Sequence, residues 1–200
     1  MKQINNYILE KLIINKDIKS NHYNYHPKSR NELKELVNKL IEERGDNADL
    51  NDIDTSEITD MSFLFFNSKF NGDISNWDVS NVENMEYMFS NSKFNNDISE
   101  WVVSNVKNMS NMFYGSNFDG DISNWDVSDV ENMNKMFYNS KFNGDISKWD
   151  VSKVENMVKM FYNSKFNGNI SNWDVSNVKY MKNIFTKSPL EKNSPKWYKK

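Results

Sequence analysis

Residues 70–93 read FNGDISNWDVSNVENMEYMFSNSK, and the phrase opens again, with small changes, at Phe94, Phe118, Phe142 and Phe166, 24 residues apart each time. Self-similarity at a short fixed period marks a unit that cannot bury its apolar face alone and must stack on copies of itself. The columns that keep their chemistry down the register are those headed by Ile74, Trp77, Val79, Val82, Met85 and Phe89. These predict the core. An array of this kind offers an extended, regular surface rather than an enclosed pocket, which points to binding and away from catalysis.

Each repeat divides in two. Gly72-Asp73-Ile74-Ser75 reads as a tight turn into a short extended piece, with the β-branched Val79 close behind, which predicts one rung of a parallel sheet. From Ser80 onward, Val82, Met85, Met88 and Phe89 share an arc of about 120° at helical periodicity. Ser80 with Glu83 matches a capping box, as do Ser128 with Glu131 and Ser152 with Glu155. The fold predicted is therefore an α/β repeat solenoid of leucine-rich-repeat-like right-handed coils. Each coil has a short parallel strand and a short helix, and the array stands behind an N-terminal helical cap.

Counting back 24 residues from Asn71 sets the first repeat at Asn47, with Leu50 at the Ile position, Ile53 at the Trp position and Ile58, Met61, Leu64 and Phe65 completing it. Three regions follow: 1–46, an N-terminal segment and capping helix; 47–189, six 24-residue repeats; and 190–200, a degenerate C-terminal cap coil. In the last of these Leu190 and Trp197 keep the Phe and Trp positions, but Ser194-Pro195 replaces Ile-Ser, and a proline cannot donate to another rung. The capping helix is predicted from Ser29 and Glu32 as a capping box, the stripe Leu33, Leu36, Val37, Leu40 and Ile41, and Gly45 as its stop.

A formal charge of −3 and a pI near 5.5 argue against nucleic acid, which demands clustered Lys and Arg. The chain has no Cys, so disulfides, thiolate nucleophiles and sulfur-ligated zinc are excluded together. Residues 1–20 interleave Lys and Asn with Ile and Leu, so they hold no continuous apolar run; membrane insertion is not expected, and the chain as written reads as cytoplasmic.

The quoted phrase, from Phe70 to Phe89, resembles the repeat of the BspA-like leucine-rich repeat proteins, including the mycoplasma-type lipoprotein repeats. The likeness spans Asn47 to about Ser188. It implies a leucine-rich-repeat-like solenoid, found in many cases on bacterial surfaces, with adhesion or host-protein binding in some members. It brings no catalytic motif and no cofactor.

The acidic columns headed by Asp73 and Asp78 could suggest calcium. Asn169 and Val102 interrupt them, and Asp also accepts hydrogen bonds from nearby backbone N–H groups in turns, so they read as structural with no metal called for. The column Asn84, Asn108, Asn132 and Asn156 reads as a buried amide ladder satisfying backbone groups of neighbouring repeats. His22 and His26 read as surface residues. Every Ser and Asp recurs with the repeat, so no catalytic constellation stands out and an enzyme is not expected.

The candidate interface is the stripe Tyr114, Tyr138 and Tyr162, which gives way to Ser90 and Thr186 at its ends, together with Lys93, Lys141 and Lys165. Aromatic and basic residues in a line make good interface material. The partner expected is another protein. A passive spacer module and a carbohydrate-binding surface adhesin are the alternatives.

Overall fold

The computed structural model describes residues 23–199. Among them stand one α-helix, α1 (Arg30–Arg44), one 3-10 turn (Pro189–Glu191) and seven isolated parallel bridges. The α/β solenoid expected from the sequence is overturned: no repeat contains a helix, no strands assemble into a sheet, and the leucine-rich-repeat-like coil is absent. What remains is a stack of repeats built almost wholly from turns.

The reason lies in where the backbone N–H groups go. In the segment predicted to be helical, the amides of Met85, Tyr87, Phe89 and Asn91 donate to Asn108, Ser110, Met112 and Tyr114 of the next repeat, at 2.9, 3.0, 2.9 and 2.6 Å. The intervening amides of Met88, Ser90 and Ser92 close turns onto the carbonyl three residues back. Tyr87 and Asn91 take positive φ, 55° and 52°, a conformation that breaks any helix. The second position recurs as Asn67, Gly115, Asn139 and Asn163, residue types that tolerate it. Ser80 caps no helix; its Oγ donates to Asp78 Oδ1 at 2.6 Å, and the Glu83 amide donates to Thr59 of the preceding repeat at 2.8 Å.

Strands fail for a related reason, since a side-chain-capped corner interrupts the chain every few residues. Asp73 accepts from the Ser75 amide at 2.9 Å, Asp78 from Ser80 at 3.0 Å, Asn84 from Glu86 at 3.1 Å, and Ser92 Oγ from Phe94 at 3.3 Å. These are Asx and Ser turns, in which a short polar side chain mimics a backbone turn. The Asn84 column thus satisfies amides within its own repeat, not in a neighbour as the sequence suggested. Its backbone supplies the neighbouring contact, as a parallel bridge at every step from Asp60 to Tyr180.

The corner carboxylates have a pH consequence. Hydrogen bonds from Ser75, Ser123, Ser147 and Ser176 hold Asp73, Asp121, Asp145 and Asp174 below the ordinary carboxylate value. Because the folded values are depressed, the stability they contribute is present above about pH 4, the unfolded range, and is lost as pH falls through the folded values. Asn169 fills the same corner with its amide oxygen, accepting from Ser171 at 3.0 Å. An Asp121→Asn/Asp145→Asn variant should therefore melt near the parent temperature at neutral pH and lose less on acidification. Thermal unfolding followed from neutral to acid pH checks this, and an equal acid loss in both proteins would refute it.

Inside the stack run two ladders of phenylalanine. Phe89, Phe113, Phe137 and Phe161 stack at 5.7 Å centroid spacing, and each meets a ring of the Phe94 column at 4.4–4.5 Å. Each tryptophan reaches back one repeat: Trp101, Trp125, Trp149 and Trp173 donate their indole N–H to the carbonyls of Ile74, Ile98, Ile122 and Ile146 at 3.1–3.2 Å. Packing and hydrogen bonding thus couple the same neighbours.

Both ends have their own chemistry. Ser29 accepts from the Glu32 amide at 3.3 Å, Glu32 returns a contact to the Lys28 amide at 2.8 Å, and α1 buries Leu33, Val37 and Leu40 on the first repeat. The first repeat's outward carbonyls receive their donors from cations of α1 and not from a repeat. Arg30 Nε donates to Ser62 at 2.7 Å, and Lys34 Nζ donates to Leu64 and, at 3.2 Å, to Phe63. Burial, with Arg30 close by, pulls the Lys34 ammonium below its ordinary pKa. At the other end Trp197 donates to Ile170 at 2.9 Å and Leu190 is buried, while Val175, Val178 and Met181 stay only half-covered.

Candidate functional site

Each repeat presents one side between its Asn84-type and Ser92-type corners, and the candidate residues sit there. On this side Met85, Met88 and Phe89 point inward, the position of Tyr87 lies at the boundary, and the position of Ser90 is buried where it holds serine and half-buried where it holds tyrosine. Stacking the repeats turns those positions into columns. Tyr114, Tyr138 and Tyr162 form a continuous half-buried ladder, with centroids 4.7 and 4.8 Å apart and ring planes within 6° of parallel. Partial burial, with the neighbouring Tyr138 and Tyr87, raises the Tyr114 phenol above its ordinary pKa.

Lys93, Lys141 and Lys165 are exposed at the corner that follows, and they do not cap the rings. Lys159 and Lys187 do so instead, each ammonium lying 5.6 Å from the Tyr162 centroid. Lys159 occupies the left-handed column of Tyr87, and Lys187 that of Asn91.

Toward α1 the edge continues in residues that the core-column reading passed over. Phe63 stacks on Tyr87 at 4.7 Å, and Phe66 meets them edge-on at 5.7 and 6.0 Å. Phe63 and Phe66 are 37% and 38% exposed, large values for phenylalanine in a chain whose other rings of this type are buried in the stack. Phe66 lies 24 residues before Ser90 and so belongs to the tyrosine column; fully buried Ser90 interrupts that column between Phe66 and Tyr114. The signal in the sequence was a column that changes between aromatic and polar residues.

Other candidates fall back to structure. His26 is exposed and pairs with Asp54 at 3.1 Å, and His22 lies outside the described residues. Among the described residues no group of three or more His, Asp or Glu is placed to hold a metal ion. A shallow groove on another side is lined by Ser56, Glu83, Asn105 and Lys107, but its polar groups are engaged in joining repeats: Asn105 donates to Ser80 at 2.6 Å and Lys107 pairs with Glu83 at 3.2 Å. No helix of the described residues is long and apolar enough to cross a membrane.

The family model described as Mycoplasma protein of unknown function, DUF285, matches residues 31–140 and again 114–198. The chain belongs to this family. The two DUF285 matches overlap within the third and fourth repeats and together run from residue 31, inside α1, through all six repeats to residue 198 of the C-terminal cap. Both matches take in copies of the unit quoted at residues 70–93, and the mycoplasma-type side of the resemblance stands. Comparison with curated proteins and with solved structures gave no match.

Proposed function

We propose that this protein is a non-catalytic interaction protein, of the same broad kind as the BspA-like repeat proteins, that binds another protein along its aromatic edge. The observation that carries this is the surface run of Phe63, Phe66, Tyr87, Tyr114, Tyr138 and Tyr162. A buried core already saturated with phenylalanine gains little from a second aromatic line at the surface, whereas tyrosine and phenylalanine are the residues that anchor protein interfaces.

Carbohydrate recognition fits less well. Sugar stacking needs an open ring face, and Tyr138 lies between Tyr114 and Tyr162 while Tyr162 carries Lys159 and Lys187. A passive spacer is favoured by the regularity of the stack, and the same test decides between the two.

A Tyr114→Ser/Tyr138→Ser/Tyr162→Ser variant removes two stacked pairs, which costs about 1–3 kcal/mol of stability. Serine at Ser90 shows that the column accepts it. The full-length variant, confirmed folded by circular dichroism, should lose a partner that the parent protein retains from the source organism, a weakening of about 2 kcal/mol or more. Equal retention by both proteins would overturn the proposal in favour of the spacer.

A further inference from the structure

The charges of this chain are sorted by side. The six aromatic-edge segments, 62–69, 86–93, 110–117, 134–141, 158–165 and 182–189, carry eight lysines and one acid, Glu86. The intervening segments, 47–60, 71–84, 95–108, 119–132, 143–156 and 167–180, carry nineteen acids and four lysines. A chain of net charge −3 therefore presents a positive aromatic edge beside strongly negative sides, a separation that the overall charge conceals.

The lysines are also placed unevenly. Lys135, Lys141, Lys159, Lys165, Lys182 and Lys187 occupy three successive layers around Tyr138 and Tyr162, and the exposed Phe63 and Phe66 lie at the opposite end. None of the six appears in an ion pair among the described residues. The corner aspartates on the other sides are engaged by serine amides.

From this sorting we infer that the aromatic edge takes an acidic helical segment of a partner protein, its carboxylates laid over the lysine layers and its apolar end toward Phe63 and Phe66. The inference rests on the edge being a protein-binding face. Register selects the helix: the layers are 4.7–4.8 Å apart, judged by the tyrosine rings. A helix presents one face at a pitch of about 5.4 Å, so three layers accumulate a mismatch near 1.3 Å, which lysine side chains absorb. Same-face residues of an extended strand are about 6.7 Å apart, and the mismatch over those layers reaches about 4 Å. A single-stranded nucleic acid would meet the same charge, but its bases need open ring faces, and in the lysine layers Tyr138 and Tyr162 are engaged by neighbouring rings and by lysine.

The test uses the full-length protein and a fluorescein-labelled, alanine-based helical peptide with glutamates along one face, read by fluorescence anisotropy. A peptide with glutamine at those positions and an oligothymidylate serve as comparisons. The substitutions are Lys135→Asn, Lys141→Asn, Lys159→Asn and Lys165→Asn together, because Asn111, Asn183 and Asn117 already occupy these columns in other repeats. The glutamate peptide should bind at least about tenfold tighter than the glutamine peptide at low salt, weaken severalfold as salt is raised, and lose about tenfold in the lysine variant. Equal binding of the two peptides, unchanged binding by the lysine variant, or tighter binding of oligothymidylate would each overturn it. If the acidic peptide fails while the tyrosine variant still loses its captured partner, the edge binds protein of another chemistry; if both fail, the binding reading falls too.

Discussion

Replacing Phe137 by alanine lowers the stability of the protein by about 3–5 kcal/mol, among the largest effects open to a single substitution here. Phe137 is fully buried and touches rings on every side: Phe113 and Phe161 along the stack at 5.7 Å, Phe142 across it at 4.4 Å and Trp149 at 6.3 Å. Its removal leaves a cavity that rings held in register by interrepeat hydrogen bonds cannot collapse to fill. Because stability in a repeat array sums over neighbouring interfaces, the loss should also decouple the halves and broaden the transition. Phe185, with Trp197 and Tyr198 on its outer side, closes the last interface, and Phe185→Ala should cost less. Urea unfolding of the two variants measures both statements, and a loss under about 1 kcal/mol at Phe137 would show that the ladder is loosely packed.

Deleting residues 1–45 has the second large effect. It uncovers Leu50, Ile53 and Ile58, each at most 1% exposed in the intact protein, and takes away Leu33, Val37 and Leu40, which cover them. At about 1.5–3 kcal/mol per buried aliphatic side chain, this exceeds what a marginally stable domain can lose without fraying. The truncated chain should aggregate or melt well below the parent in light scattering and thermal unfolding. Arg30→Ala/Lys34→Ala separates the hydrogen-bonding part of the cap from its apolar part. That variant leaves the Ser62 and Leu64 carbonyls without side-chain donors and should cost about 1–2 kcal/mol for each. An unchanged, monomeric melting curve for the truncation would mean that the first repeat closes itself.

The interior was legible because burial leaves a mark on every repeat. The Ile74, Trp77, Val79, Val82, Met85 and Phe89 columns are buried where the period placed them, except near the C-terminal end, where Val175, Val178 and Met181 lack a full layer above them. The backbone was not legible from that pattern. Apolar spacing of three and four residues reports which side chains turn inward, and a chain of turns can produce it as well as a helix can. The better clue was Asp73-Ile-Ser75 and Asp78-Val-Ser80, two short polar corners five residues apart, followed by a third at Asn84. Corners that close leave no room for a strand. The tyrosine column showed itself by its variability, whereas Phe63, Phe66, Lys159 and Lys187 went unseen because they depart from the repeat one at a time.

The cations that α1 lends to the first repeat make the two ends chemically unlike, while the interior repeats meet their neighbours on both sides through a recurring set of backbone bonds. New blocks can therefore enter only between existing ones without disturbing either terminus, and a duplicated 24-residue gene segment inserted there would be read through as one more layer of about 4.8 Å. The molecule is a ruler whose length is written in copy number. Lineages that gain or lose a block would lengthen or shorten the reach of the aromatic edge in fixed steps while both terminal caps stay as they are.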